Sequence, residues 1–357
     1  MTMFIIGVLF ASILIGCGRE KVYEKYSDTF FDTFDTVTKV VGYTQTKEEF
    51  QKYATFIENR MIQLHKLFNK YHTYPGINNI KTINDNAGVK PVKVRKEVID
   101  LIQFCKKWYP KSNGKTNIAF GPVLEIWSDY REEGNANPEN AKIPPIEDLK
   151  KANQHTDLDK VIVNEENSTV FLEDPKMNLD VGAVAKGFAL ELVADEVSKK
   201  GFTSGIISAG GNIRTIGKPL DGVRDRWGVG IQNPDKTLFE EDGSNILETI
   251  FANNISVVTS GDYQRYYMVD GKVMHHLIDP NTLMPGDYYR AVTIVTEDSG
   301  LGDFLSTTVF LLPFEEGKAL VESLDGVDAL WVMKDGTVRF SDGMKKIMKS
   351  QGASGTD

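Results

Sequence analysis

Apolar residues recur at helical spacing along several stretches of this chain, and at alternating spacing along others. Between Glu48 and Phe68, the residues Phe50, Tyr53, Phe56, Ile57, Met61, Leu64, Leu67 and Phe68 fall mostly three or four apart, which predicts an amphipathic helix. A short helix is expected to end at Asn84-Asp85-Asn86-Ala87-Gly88, and another spans Lys96 to Trp108. A helix over 184–200 follows from the i, i+4 stripe of Val184, Phe188 and Leu192, and two more fit 303–312 and 315–323. Thr29 to Val41 alternates β-branched and aromatic residues with polar ones and reads as one strand. Val161–Val163 and Val170–Leu172 form a predicted hairpin, and 205–216 reads as two strands around a Gly210-Gly211 bend. Further strands fit 227–232, 255–258, 263–268, 292–296 and 329–333. The strands are not separated by regularly alternating helices. The expected fold class is therefore α+β, a largely antiparallel β core flanked by helices, rather than a doubly wound sheet.

The chain ends change that picture in only one respect. Met3 to Ile15 is an apolar run too short to span a bilayer, and it stops at Leu14-Ile15-Gly16-Cys17. A small residue before a cysteine at the end of such a run resembles the bacterial lipobox, although Met1-Thr2-Met3 carries no basic residue. The expected layout is a lipoprotein signal over 1–17 with lipidation at Cys17, a polar tether over 18–27, one domain over 28–345 possibly built as two sub-lobes, and a disordered tail over 346–357. The remaining cysteine, Cys105, sits in an apolar helical run and is expected to be a buried core thiol. The net charge is −9 and no basic patch stands out, which argues against a nucleic-acid partner.

Four clusters carry candidate chemistry. Met177 to Glu191 runs from an extended segment through Gly182-Ala183 into a helix, so a helix N-terminus lies behind Asp180 and before Lys186. Free backbone N–H groups and the positive dipole end suit a phosphate there, while the plain alternative is a corner with a solvated lysine. Ser208-Ala209-Gly210-Gly211-Asn212 is a common strand bend and alone says little. VTSGDYQRYY at 258–267 is followed by His275-His276-Leu277-Ile278-Asp279-Pro280, whose neighbouring histidines would point to opposite faces of a strand and so would not chelate one metal. Asp303 and Thr307 share a helix face, and with a backbone carbonyl they would form an all-oxygen set suited to Mg²⁺. Asp303 as an N-cap or first-turn charge fits those residues equally well.

LDVGAVAKGFALE, SAGGNI, VTSGDYQRYY, HHLIDP and GDFLSTTVF occur in this order, and the series resembles the FAD:protein FMN transferase (ApbE-type) family of bacterial membrane-anchored lipoproteins, over about Thr29 to Arg339. The resemblance implies a cleft for FAD between the sheet core and flanking helices, with Mg²⁺ bridging the pyrophosphate. Its metal ligands would be the Ala183 carbonyl, the Asp303 carboxylate and the Thr307 hydroxyl. Flavin-nucleotide contacts carry over to Phe34, Tyr71, Gly114, Lys115, Thr116, Asp180, Lys186 and His275, with Lys186 near the phosphates. The implied reaction is attack by a threonine or serine hydroxyl of an acceptor protein on the FMN-side phosphorus, with AMP leaving. His276 and then Asp303 are the candidate bases for that hydroxyl. The implied location is the extracytoplasmic face of a bacterial cell membrane, through a lipid anchor. Two positions depart from the family pattern: Phe34-Asp35-Thr36 stands for Met-Gly-Thr, and Thr282-Leu283-Met284-Pro285 carries Leu283 for glycine. Competing readings are an Mg²⁺-dependent FAD pyrophosphatase giving FMN and AMP, and a lipoprotein that binds flavin without catalysis.

Overall fold

The computed structural model describes residues 22–236 and 245–356. In chain order the elements are β1 (Glu24–Thr33), β2 (Thr36–Thr44), α1 (Lys47–Phe68), α2 (Ile80–Asn84), β3 (Val92–Lys93), α3 (Lys96–Trp108), α4 (Gly121–Ala136) and α5 (Ile146–Asn153). They continue with β4 (Val161–Asn164), β5 (Thr169–Leu172), α6 (Ala185–Lys199), β6 (Gly205–Ala209), β7 (Asn212–Ile216), β8 (Trp227–Gln232), β9 (Ile246–Ala252) and β10 (Ser256–Gly261). The last are β11 (Tyr266–Val269), β12 (Lys272–His275), β13 (Tyr289–Thr296), α7 (Ser299–Phe310), α8 (Phe314–Glu322), β14 (Asp328–Met333) and β15 (Val338–Phe340).

One eight-stranded sheet, ordered β1-β2-β6-β7-β10-β13-β14-β15, organises the molecule, and each neighbouring pair in it is antiparallel. The α+β expectation holds, and both faces of the sheet's centre are covered. Along β14, Ala329 and Trp331 pack with the helices α1, α3, α6 and α7, while Leu330 and Val332 pack on the opposite side with Val229, Ile231 and Ile250 of the β8–β9 ribbon. A strand buried on both faces cannot alternate apolar and polar residues, which explains the continuous run Asp328-Ala329-Leu330-Trp331-Val332-Met333. A third, smaller core joins α4 and α5 to the β11–β12 hairpin through Trp127, Leu149, Tyr267 and Met274.

The helices start where their sequences supply caps. Thr46 accepts a hydrogen bond from the Glu49 N–H at 3.1 Å, and Asp298 accepts one from the Leu301 N–H at 3.0 Å. The second cap places the start of α7 at Ser299, four residues before the expected one. Asp303 is therefore neither the cap nor a first-turn charge.

Three expectations need correction. The segment 29–41 is a hairpin rather than one strand, because the chain reverses at Phe34-Asp35, both with φ of 52°. The alternation continues across the turn, and Phe-Asp is not a residue pair that signals a two-residue hairpin loop. The tether over 18–27 is shorter than expected, since β1 already begins at Glu24; an edge strand tolerates charged residues such as Glu24 and Lys25 on its solvent side. The tail over 346–357 is docked through residue 356. Met348 is buried and bridges to Ile250, and the Gly355 carbonyl accepts hydrogen bonds from the N–H groups of Asp225 and Arg226 at 2.7 and 3.1 Å. The buried Met344 and Met348 supply the apolar contacts that a polar-looking sequence concealed.

Candidate active site

The segment 177–184 is held before it reaches the site. The Asn84 side chain accepts a hydrogen bond from the Leu179 N–H and donates one to the Leu179 carbonyl, and the Asp180 N–H donates to the Ile118 carbonyl. The chain then turns through Gly182-Ala183 into α6, whose N-terminus faces a cavity. Gly187 fixes how closely α6 and α7 approach: a Cβ there would lie 2.2 Å from the Ser299 carbonyl oxygen and 2.5 Å from the Asp303 Cβ. The same closeness lets the Gly187 N–H, a first-turn donor with no partner further back, donate to Asp303 Oδ2 at 2.7 Å.

Phe34, Tyr71, Lys115, Thr116, Asp180, Ala183, Lys186, His276, Asp303 and Thr307 all line this one cavity, although they span the chain from the first hairpin to α7. Their immediate partners differ. Lys70 pairs with Asp180 at 2.6 Å and lies over the Tyr71 ring, 4.9 Å from its centroid. Lys115 is buried in an ion pair with Asp279 at 2.7 Å, and the Thr116 hydroxyl lies 2.8 Å from that of Thr308. The Phe34 N–H donates to His65 Nδ1 at 3.0 Å.

Gly114 and His275 stand apart from the set. Gly114 (φ +73°) does not line the cavity; it packs toward Tyr109 and, with Asn113, turns the chain so that Lys115 and Thr116 point inward. His275 is buried, with Nε2 hydrogen-bonded to the Gly286 carbonyl at 2.7 Å and Nδ1 accepting from the Leu277 N–H at 3.2 Å. Both ring nitrogens are thus engaged by backbone, and the ring sits edge-on to Phe310. His275 braces the β12–β13 connection, and its neighbour His276 is the one that reaches the cavity.

Burial and neighbouring charge set the protonation of the site. Burial raises the Asp303 carboxyl above the ordinary carboxylate range, against the opposing pull of Lys186, the Asn212 amide and the Gly187 N–H. Burial lowers Lys186, opposed by Asp303 and reinforced by Arg265. Asp180 is lowered despite its burial, because Lys70 lies against it and the Gly182 N–H and Arg265 act in the same sense. Burial, with the Arg265 charge next, pushes His276 down to about 3. The His276 Nδ1 lies 3.3 Å from the Arg265 carbonyl; the neutral ring donates there and leaves Nε2 as the acceptor.

Lys70, Asn212 and Arg265 also line the cavity, and the sequence reading did not single them out as ligand contacts. Asn212 and Arg265 lie inside quoted motifs, SAGGNI and VTSGDYQRYY. Lys70 lies in the loop before Tyr71, with no spacing to mark it. Asn212 is buried, yet its Nδ2 completes no hydrogen bond of good geometry. Its amide faces the Asp303 carboxylate and opposes the effect of burial there.

Ala183, Asp303 and Thr307 bring a backbone carbonyl, a carboxylate and a hydroxyl to the same cavity, a hard-oxygen set that fits a divalent cation completing its shell with water and phosphate. Among the described residues, no three His, Cys, Asp or Glu side chains come together as a metal cluster, so a cation here would rest on that sparse set. Beside the cavity lies a basin of about 1550 Å³ between the β8–β9 ribbon and the β11–β12 hairpin. Phe34, Asp35, Lys186, Thr259, Gln264 and Arg265 line both spaces and mark the seam between them.

Residues 34–331 match the family model described as ApbE family. A protein named FAD:protein FMN transferase from Klebsiella pneumoniae (strain 342) is 32% identical over 263 residues, covering 73% of this chain and 77% of that protein. One of the same name from Treponema pallidum (strain Nichols) is 32% identical over 277 residues, covering 74% and 73%. Among solved structures, the ApbE protein of Thermotoga maritima superposes with a TM-score of 0.76 at 27% identity, covering 91% of this chain and 98% of that one. The flavin transferase ApbE of Vibrio cholerae gives 0.74 at 21% identity, a likeness of fold, covering 91% and 100%.

Proposed function

This chain belongs to the ApbE family, and on that premise we propose that it is an Mg²⁺-dependent FAD:protein FMN transferase. It joins FMN through a phosphoester bond to a threonine or serine of an acceptor protein and releases AMP. The observation that carries the reading is the gathering of an oxygen-donor set, the cation Lys186 and the imidazole of His276 around one cavity that opens into a basin. A hydrolase needs only a route for water. A transferase needs room for a polypeptide segment beside the reacting phosphorus, and the basin supplies that room.

Ala183, Asp303 and Thr307 would hold Mg²⁺, which would neutralise pyrophosphate charge and improve AMP as a leaving group. Lys186, poorly solvated and beside Asp303, adds a second positive charge toward the phosphates. Lys70 and the Gly182 N–H hold the Asp180 carboxylate in one orientation, so that it can accept from the ligand. The acceptor oxygen forms a bond to the FMN-side phosphorus, the bond from that phosphorus to the bridging oxygen breaks, and AMP departs with the bridging oxygen. His276 Nε2 takes the hydroxyl proton. Its basicity is suppressed by burial and Arg265, and an anionic phosphoryl group beside Arg265 would offset the second of these.

Cys17 falls outside the described residues, and no helix among the described residues is long and apolar enough to cross a membrane. The proposed attachment is a lipid on Cys17, which keeps the domain at the outer face of the cell membrane beside membrane-bound or extracytoplasmic redox acceptors.

The test incubates the protein with FAD, Mg²⁺ and a candidate acceptor, followed by denaturing electrophoresis. Flavin fluorescence retained on the denatured acceptor, with an equal amount of AMP, is expected. FMN and AMP without labelled acceptor would replace transfer with hydrolysis, and unchanged FAD would leave a binding protein.

A further inference from the structure

Five cationic side chains line the cavity, and they are not equivalent. Lys70 is held by Asp180 and Lys115 by Asp279, each in an ion pair shorter than 3 Å. Arg131 donates to the Ser128 hydroxyl at 2.9 Å. Lys186 is half-buried within electrostatic reach of Asp303 and, among the described residues, makes no close ion pair or hydrogen bond. Arg265 shares that lack of a close partner with Lys186 and differs from it in being exposed. It is exposed in the turn between β10 and β11, and among the described residues its guanidinium has no ion-pair partner and no hydrogen bond. Its backbone is nevertheless fixed, because the Arg265 carbonyl accepts from the His276 N–H at 3.1 Å and lies 3.3 Å from His276 Nδ1. An unpaired guanidinium on an anchored backbone, at the seam between cavity and basin, is placed for an anion that reaches both spaces. Its positive charge also acts on Asp180, Lys186 and His276.

We propose that Arg265 is a substrate-binding residue that grips the pyrophosphate of the dinucleotide at the seam, presenting the FMN-side phosphorus toward the basin. Resting on the transferase reading for the reaction it serves, this assignment names a residue for a step that Lys186 and a cation alone leave open. Lys186 and the residues that would hold the cation lie at the start of α6 and on α7, and Arg265 lies just before β11, on the other side of the lining. The planar guanidinium offers paired N–H donors that match two phosphoryl oxygens, which a lysine ammonium cannot do in the same geometry.

The experiment measures FAD affinity in EDTA, so that no metal contributes, at about 50 mM and about 500 mM NaCl, two ionic strengths across which the Debye length shrinks severalfold. Wild type, Arg265→Ala and Arg265→Lys are compared. Arg265→Ala is expected to weaken FAD binding about tenfold or more at low salt, with the gap narrowing at high salt as a lost charge contact requires. Arg265→Lys is expected to recover part of the low-salt affinity. Equal loss at both salt concentrations would mean damage to pocket shape, and no loss at either would mean no contact; both results overturn the assignment. The readout is binding rather than turnover. A wild-type protein that binds FAD but labels no acceptor would end the transferase reading and leave the Arg265 measurement standing.

Discussion

Asp303 shows how one residue acquires its role from three neighbours. Its helix is capped by Asp298, its Oδ2 accepts from the Gly187 N–H, and its remaining surroundings are Lys186 and the Asn212 amide. Replacement by asparagine keeps the volume and removes the charge. Asp303→Asn is therefore expected to lower Mg²⁺-dependent AMP release by about 10²-fold or more, as loss of a charged transition-state contact does. Ala183→Ser is expected to change it little, because Ala183 is proposed to serve through its backbone. A steady-state assay across Mg²⁺ concentrations checks both, and equal loss in the two variants would remove the proposed division between side chain and backbone. Asp303, Thr307 and Lys186 were legible because helical spacing and a glycine turn make them stand out. Lys70, Asn212 and Arg265 were not, because an ion pair between residues 70 and 180, or an amide at 212 turned toward Asp303, exists only once the chain has closed.

At the scale of turns, the two departures from the family pattern share one physical property. Asp35 and Leu283 stand where the family pattern given by the resemblance has glycine, and both have positive φ, 52° and 62°. The two positions offset the backbone cost differently. Leu283 is buried, its N–H donates to the Asp279 carbonyl at 2.7 Å, and its carbonyl accepts from Trp127 Nε1 at 3.0 Å. Asp35 is exposed at the mouth of the cavity, and aspartate tolerates this region better than a leucine does. The two substitutions should therefore diverge. Asp35→Gly relieves strain and gives up little packing, so it is expected to stabilise by about 0.5–1 kcal/mol. Leu283→Gly relieves roughly 1 kcal/mol of strain but empties a buried site worth about 2–5 kcal/mol, and is expected to destabilise. Thermal midpoints moving in opposite directions would bear this out; a rise in both would show that the Leu283 side chain contributes little. The hairpin turn itself was invisible in the sequence, because Phe34, a bulky aromatic, is not a typical residue for the first position of a loop in which both φ values are positive.

Across the whole molecule, most helices and strands were legible, and so were the fold class and the single core thiol. The pairings between distant strands were not, since nothing in residues 36–44 announces that they lie against residues 205–209. Cys105 offers a readout of that closure. It is 1% exposed in the main core, and burial raises its thiol far above the ordinary range. In a Cys17→Ser chain, a thiol reagent is expected to modify Cys105 only as fast as the protein opens, with the rate rising steeply in denaturant. Rapid modification in native buffer would show that α3 opens on its own.

The pairing of β2 with β6 has a further consequence, in time rather than space. Gly42 lies opposite Gly205, and the cavity wall draws on residues from Phe34 to Leu311, so almost every decisive contact is remote in sequence. Chains with high contact order fold slowly, because loop closure must precede any reward from contact. A nascent chain can form α1 and α3 early, but the cavity is not complete until α7 has followed with Asp303 and Thr307. Competence to bind FAD is thus acquired late and all together. Until α7 has folded onto it, the apolar run of β13 lacks its helical cover, and β14, its sheet partner, is made later still.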